Sequence, residues 1–177
     1  DLDLTLRGIV FAAAGTAGQR CTTMRRVIAH SSVVEDLTSR LAETFERLPI
    51  GNPLAGGTLV GPLINQQAYE AMQSALEQAK AEGGTVVVGG ERVLEDAAED
   101  AFYVRPAIVR MPEQSQIVTQ ETFAPILYIL EYEELEEAIA LNNGVPQGLS
   151  SSLFTRDQAE SEIFLSAEGS DCGIVNI

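Results

Sequence analysis

The chain has no tryptophan, one histidine and two cysteines, and each scarcity removes a class of chemistry. Two cysteines are too few for a disulfide framework. With a single histidine far from both, they form no zinc site of familiar spacing, so no metal is expected. A Ser-His-Asp or Cys-His pair would have to use His30, which ends a short β-branched run and reads as a structural histidine. Cations are scarce as well: 11 Lys and Arg stand against 26 Asp and Glu, a formal charge of −15. Phosphate backbones demand clustered cations, so nucleic acid is excluded as a partner. No apolar run reaches the roughly 18 residues of a membrane span. No basic stretch followed by an apolar one opens the chain, so no secretory signal is read. A cytoplasmic, reducing setting is the simplest expectation.

What is present suits one domain: 177 residues, 45% of them hydrophobic. The acidity is uneven. Residues 1–50 hold six acids and six bases, and residues 51–177 hold 20 acids and five bases. The neutral part contains the first cysteine. Asp1 opens directly onto a helical pattern, so the chain is expected to be a piece of a longer protein.

Leu2, Leu6, Ile9, Val10 and Ala13 recur at helical spacing and predict a helix over 3–17. RVIAH (26–30) predicts a strand. Ser31 or Ser32 is expected to cap a helix over 33–48, which Pro49 stops. Residues 51–63 read as loop from their glycines and prolines. Asn65 is expected to cap a helix with Ala68, Met72, Ala75, Leu76 and Ala79 on one face, ending at Gly83-Gly84. TVVVGG comes next as a short strand. Residues 91–101 read as an exposed acidic loop. Residues 103–110 read as a strand that Pro106 makes an edge or a break. Residues 125–132 read as a strand buried on both faces, and 133–143 as a helix. A loop, a strand over 150–155, a helix from about Asp157 to Ser166 and a last strand GIVNI complete the chain. This alternation predicts α/β architecture: three layers, a largely parallel sheet with helices on both faces.

GTAGQRCTT (15–23) is not a P-loop, because it lacks the GK[ST] ending that would hold phosphate and Mg²⁺. GGTVVVGG opens no helix after a strand, so it is not a dinucleotide fingerprint. Cys21 remains. Arg20 precedes it, Arg25 and Arg26 come soon after, and nearby cations lower a thiol pKa. Small residues before it allow close approach. By chemistry alone, a nucleophile and an inert buried thiol both stay open. By the same reading Glu121 is an exposed acid and Phe123 a core aromatic.

Taken together with the segments downstream of it, GQRCTT resembles the nucleophile segment of the aldehyde dehydrogenase family. GNPLAGGTLVGPLI, EGGTVVVGGERV, ETFAPIL and QGLSSSLFT resemble further family segments in the family's order, from Asp1 to Ile177. The closing GSDCGIVNI, with Arg20, is similar to the antiquitin branch, whose members oxidise 2-aminoadipate 6-semialdehyde. The resemblance implies that residues 1–177 form a catalytic domain. Cys21 would attack the aldehyde carbon, hydride would leave to NAD or NADP, and water would release the acid from a thioester. The Cys21 N–H would serve the oxyanion. Glu121 would bind the nicotinamide-ribose hydroxyls and Phe123 would pack beside the nicotinamide. Arg20, Gly169 and Ser170 would hold the substrate carboxylate; a surface ion pair is the alternative for Arg20. Cys172 is expected to pack as a small apolar residue near the substrate tunnel.

The family's general base, its oxyanion asparagine, its Rossmann cofactor domain and its oligomerisation tail fall outside these residues. The full-length protein is expected to be a homo-oligomer, and this piece alone to be inactive. A non-catalytic interaction module and a CoA-acylating dehydrogenase are the alternatives.

Overall fold

The structure is a computed structural model that describes residues 1–95 and 100–177. Its first helix, α1 (Leu2–Ala14), is capped by the Asp1 carboxylate, which accepts from the N–H groups of Asp3 and Leu4. The helix stops three residues short of the end its periodicity predicts. Gly15 leaves helical geometry at φ −55, ψ 136, and a single tight turn over Gly15–Gly18 takes its place. Thr16 and Ala17 lie in the left-handed region there, at φ 55 and 52.

The central sheet has the strand order β1-β6-β5-β2, where β1 is Arg26–His30, β2 Thr85–Val88, β5 Ala107–Arg110 and β6 Ile126–Tyr132. β1 with β6 and β5 with β6 are parallel; β2 with β5 is antiparallel. The sheet is thus largely parallel, with one reversed edge. Five consecutive residues of β6, Ile126 to Leu130, are buried, which requires cover on both faces.

Helix α2 (Ser31–Glu46) packs against β1, β2 and β6, and α5 (Leu135–Asn143) against β1 and β6. The cap of α2 is His30 rather than a serine: its Nδ1 accepts from the Ser32 N–H at 3.1 Å. β1 runs into α2 without a loop, so the last strand residue is also the capping residue. Asn65 caps α3 (Gln66–Ala81) as expected, its Oδ1 accepting from the Ala68 N–H at 2.9 Å. Met72, Ala75, Leu76 and Ala79 form the buried face of α3.

Residues 103–110 are broken at Pro106 into β4 (Tyr103–Val104) and β5, and β5 is interior to the sheet rather than an edge. β4 pairs with β3 (Arg92–Val93), inside the stretch expected to be loop. Residues 96–99 of that stretch lie outside the described residues. A four-residue helix that the pattern does not reveal, α4 (Gln116–Thr119), leads into Glu121. The strand expected over 150–155 is only β7, Ser150–Ser152, and it pairs in parallel with β8 (Ile174–Asn176) apart from the central sheet. Between them α6 (Gln158–Leu165) is capped by Asp157. No described helix is long and apolar enough to cross a membrane.

Candidate active site

Cys21 is exposed. It sits at the tip of a turn closed in both directions: the Thr23 N–H donates to the Arg20 carbonyl at 3.0 Å, and the Arg20 N–H donates to Thr23 Oγ1 at 3.1 Å. Thr23 is buried, so the turn hangs from an anchored residue. Gln19 fixes the other side. Its Nε2 donates to the Pro62 carbonyl at 3.2 Å and its Oε1 accepts from the Ile64 N–H at 2.9 Å. The glutamine of GQRC thereby joins the Cys21 turn to the Gly-Pro loop. Among the described residues none accepts a hydrogen bond from the Cys21 N–H.

The segment holding Glu121 and Phe123 lies against this turn. An ideal Cβ on Gly18 would stand 2.4 Å from the Ala124 carbonyl, so only glycine permits the two backbones to meet. The residue that binds them is Arg25, which the sequence marks only as a nearby cation. Its Nη1 donates to Thr122 O at 2.6 Å, Gly18 O at 3.2 Å and Ala124 O at 3.3 Å, and its Nη2 donates to Arg20 O at 3.3 Å. Its Nη2 is also 3.6 Å from Glu121 Oε1, and the guanidinium lies over the Phe123 ring at 5.4 Å. Burial presses the Arg25 pKa below the usual arginine range, and Glu121 opposes that shift. No sequence period marks this residue; an arginine four places after a candidate nucleophile is the available signal.

Glu121 and Phe123 are both about half exposed, their side chains reaching solvent beside the turn. An open carboxylate able to accept two hydrogen bonds, next to an open aromatic face, suits a nucleotide's ribose and its flat ring. Phe123 is therefore a surface aromatic rather than the core residue that chemistry alone suggests.

Arg20 folds back on α1. Its guanidinium lies 5.4 Å from the Phe11 ring centroid, and its Nη2 occupies the space where a Cβ on Gly15 would be. Its Nε is buried without a hydrogen-bond partner, and among the described residues it pairs with no carboxylate.

Gly169 and Ser170 spend their hydrogen bonds elsewhere. Their N–H groups close the end of α6, donating to Ser166 O at 3.1 Å and Phe164 O at 2.9 Å. Ser170 Oγ shares a hydrogen bond with Ser151 Oγ at 2.6 Å and accepts from Asn142 Nδ2 at 3.2 Å. Among the described residues, no hydrogen bond joins either of them to Arg20 or Cys21. Cys172 is half-buried and is a free thiol. Burial presses the Arg26 pKa below the usual arginine range, and the nearby Cys172 opposes that shift. Arg26 itself ties off α5, donating to Leu141 O at 2.6 Å and Asn142 O at 3.1 Å. No cluster of metal-ligating side chains occurs among the described residues.

Cys21 and Glu121 border a cleft of about 690 Å³ between the free side of β1 and β7. Its wall is shared among β1, β7, α1, α5, the loop from Cys21 to Arg25 and the segment leading to Glu121.

The family model described as "Aldehyde dehydrogenase family" matches residues 1–177. The chain is 47% identical over its whole length to "Aldehyde dehydrogenase family 7 member A1" of Pisum sativum, covering 34% of that protein. It is 46% identical to "Alpha-aminoadipic semialdehyde dehydrogenase" of Mus musculus, again over the whole chain and 32% of the relative. The chain thus spans about a third of the length of these relatives. Among solved structures it is similar to betaine aldehyde dehydrogenase from Staphylococcus aureus in complex with NAD+, with TM-score 0.93 and 27% identity over all of this chain and 35% of that one.

Proposed function

The chain belongs to the aldehyde dehydrogenase family, and from that premise we propose that residues 1–177 are the catalytic domain of an NAD(P)+-dependent dehydrogenase that oxidises an aldehyde to its carboxylic acid. The observation that carries this reading is the exposed thiol of Cys21 at a braced turn, with its N–H unclaimed among the described residues and an exposed carboxylate and aromatic ring beside it.

The Cys21 sulfur adds to the aldehyde carbon as the thiolate, forming a C–S bond while the carbonyl π pair moves onto oxygen. The Cys21 N–H donates to that oxyanion, held by a turn that does not reorganise as charge develops. NAD(P)+, when bound, supplies the hydride acceptor that leaves a thioester on Cys21. Glu121 would hold its ribose hydroxyls and Phe123 would cover one face of its nicotinamide. Most of its binding surface would belong to a domain outside these residues. Water then releases the acid, and the base that activates the water lies outside them too.

The substrate is 2-aminoadipate 6-semialdehyde in this proposal. Support comes from the similarity to the mouse semialdehyde dehydrogenase and from the Arg20 guanidinium, which pairs with no carboxylate among the described residues. Gly169 and Ser170 complete that carboxylate site only if substrate binding frees the donors that now cap α6. Two free thiols suit a reducing cytoplasm. Exposed Leu54 and Ile64 suit a homo-oligomer of the full-length protein.

The test is reduction of NAD+ by the semialdehyde in the full-length protein, with Cys21→Ala beside it. The variant is expected to lose turnover by at least about 10⁴-fold. Turnover near that of the unsubstituted protein would reject Cys21 as the nucleophile.

A further inference from the structure

The peptide unit between Arg20 and Cys21 carries two groups with different tasks. Its carbonyl belongs to Arg20 and its N–H to Cys21, and the unit is trans, so the two point in opposite directions across one rigid plane. The N–H has no acceptor among the described residues, while the carbonyl is gripped twice, by the Thr23 N–H at 3.0 Å and by Arg25 Nη2 at 3.3 Å. A planar group held at its oxygen has its N–H direction set as well.

We propose that Arg25 is a positioning residue for the oxyanion: by holding the Arg20 carbonyl it aims the Cys21 N–H at the place where negative charge develops. The guanidinium is itself immobilised, because its other nitrogen binds Thr122 O, Gly18 O and Ala124 O. Its fork therefore transmits the position of the 121–124 segment to the donor beside the nucleophile. The pull on the carbonyl oxygen also polarises the peptide and strengthens the N–H as a donor. Lysine carries the same charge on a single head, which cannot reproduce four carbonyl contacts in this fork geometry. This inference rests on Cys21 being the nucleophile of the proposed function.

Two reagents on one sulfur separate the donor from the thiol. p-Nitrophenyl acetate acetylates Cys21 through a tetrahedral oxyanion: the thiolate forms the C–S bond, and the C–O bond breaks with its electron pair leaving on p-nitrophenolate. Iodoacetamide alkylates the same sulfur by direct displacement of iodide, with no oxyanion. Both rates are measured on the 177-residue chain carrying Cys172→Ser, with N-acetylcysteine as the free-thiol reference. The expected result is an acylation-to-alkylation ratio above that of N-acetylcysteine, lowered about ten-fold in both Arg25→Lys and Arg25→Met.

A change in thiol pKa or exposure would move both rates together and leave the ratio alone. A raised ratio that persists in the variants, or is restored by lysine, overturns the role given to the Arg25 fork. A ratio equal to that of N-acetylcysteine in the unsubstituted chain overturns the oxyanion function of the turn itself. Circular dichroism identifies a misfolded variant, and if Arg25→Met fails to fold, Arg25→Lys alone decides the outcome.

Discussion

Gly18 is where the two halves of the site touch. Its φ of +70 lies in the left-handed region, and its missing side chain is what allows Ala124 and Pro125 to approach. Thr16 and Ala17 are left-handed as well, at a cost of order 1 kcal/mol each for residues with a Cβ. That strain sits in the two residues before Gly18, where the surrounding contacts over-determine the turn that leads to Gln19, Arg20 and Cys21. Substituting Gly18→Ala would force the Cβ against backbone atoms 2.4 Å away. It is expected to destabilise the chain by more than about 2 kcal/mol, read as a lower urea midpoint, and to slow Cys21 acylation in whatever fraction stays folded. An unchanged midpoint would show that the two segments are not pressed together at this residue.

The elements around the site are fixed by contacts distant in sequence. Helix α4 has one turn and cannot be stable alone. Ser115 precedes it without making a side-chain cap. The capping carboxylate comes instead from Glu82 at the end of α3, which accepts from Ser115 Oγ and from the Ile117 N–H at 3.1 Å. The Ser115 hydroxyl first, then Gln78 and the Ile117 N–H, hold the Glu82 pKa below the usual carboxylate range. A lowered folded-state value means that this stabilisation is present above the ordinary carboxylate pKa and is lost as pH falls through the lowered one. Glu82→Gln is therefore expected to lower the urea midpoint at pH 7 and to match the unsubstituted chain in acid, once the carboxyl is protonated. An equal deficit at both pH values would remove the charge from the explanation.

Local patterns carry the fold far. Asn65 caps the helix that the sequence assigns to it, the helix expected from about Asp157 forms over Gln158–Leu165, and the apolar run at 125–132 is the strand buried on both faces. The features that escape are set by distant parts of the chain. α4 depends on Glu82, 35 positions before Ile117, and β5 is interior because β2 and β6 flank it, although Pro106 suggests an edge. At the site, Cys21, Glu121 and Phe123 are legible through motif likeness. Arg25 is not, because its importance lies in carbonyls nearly a hundred residues away. Gly169 and Ser170 are read by likeness as donors to a carboxylate; that their N–H groups close α6 is a matter of chain direction after the helix, which composition does not encode.

On the proposed function, the whole arrangement makes one of the molecule's two thiols a nucleophile toward carbonyl carbon. The direct measurement is brief exposure of the folded chain to p-nitrophenyl acetate at neutral pH, followed by mass-spectrometric quantification of acetyl on the Cys21 and Cys172 peptides. Acetyl is expected on Cys21 at a rate at least about ten-fold above Cys172, with the preference abolished in denaturant. Equal labelling of the two sulfurs in the folded chain, or preference for Cys172, would contradict it.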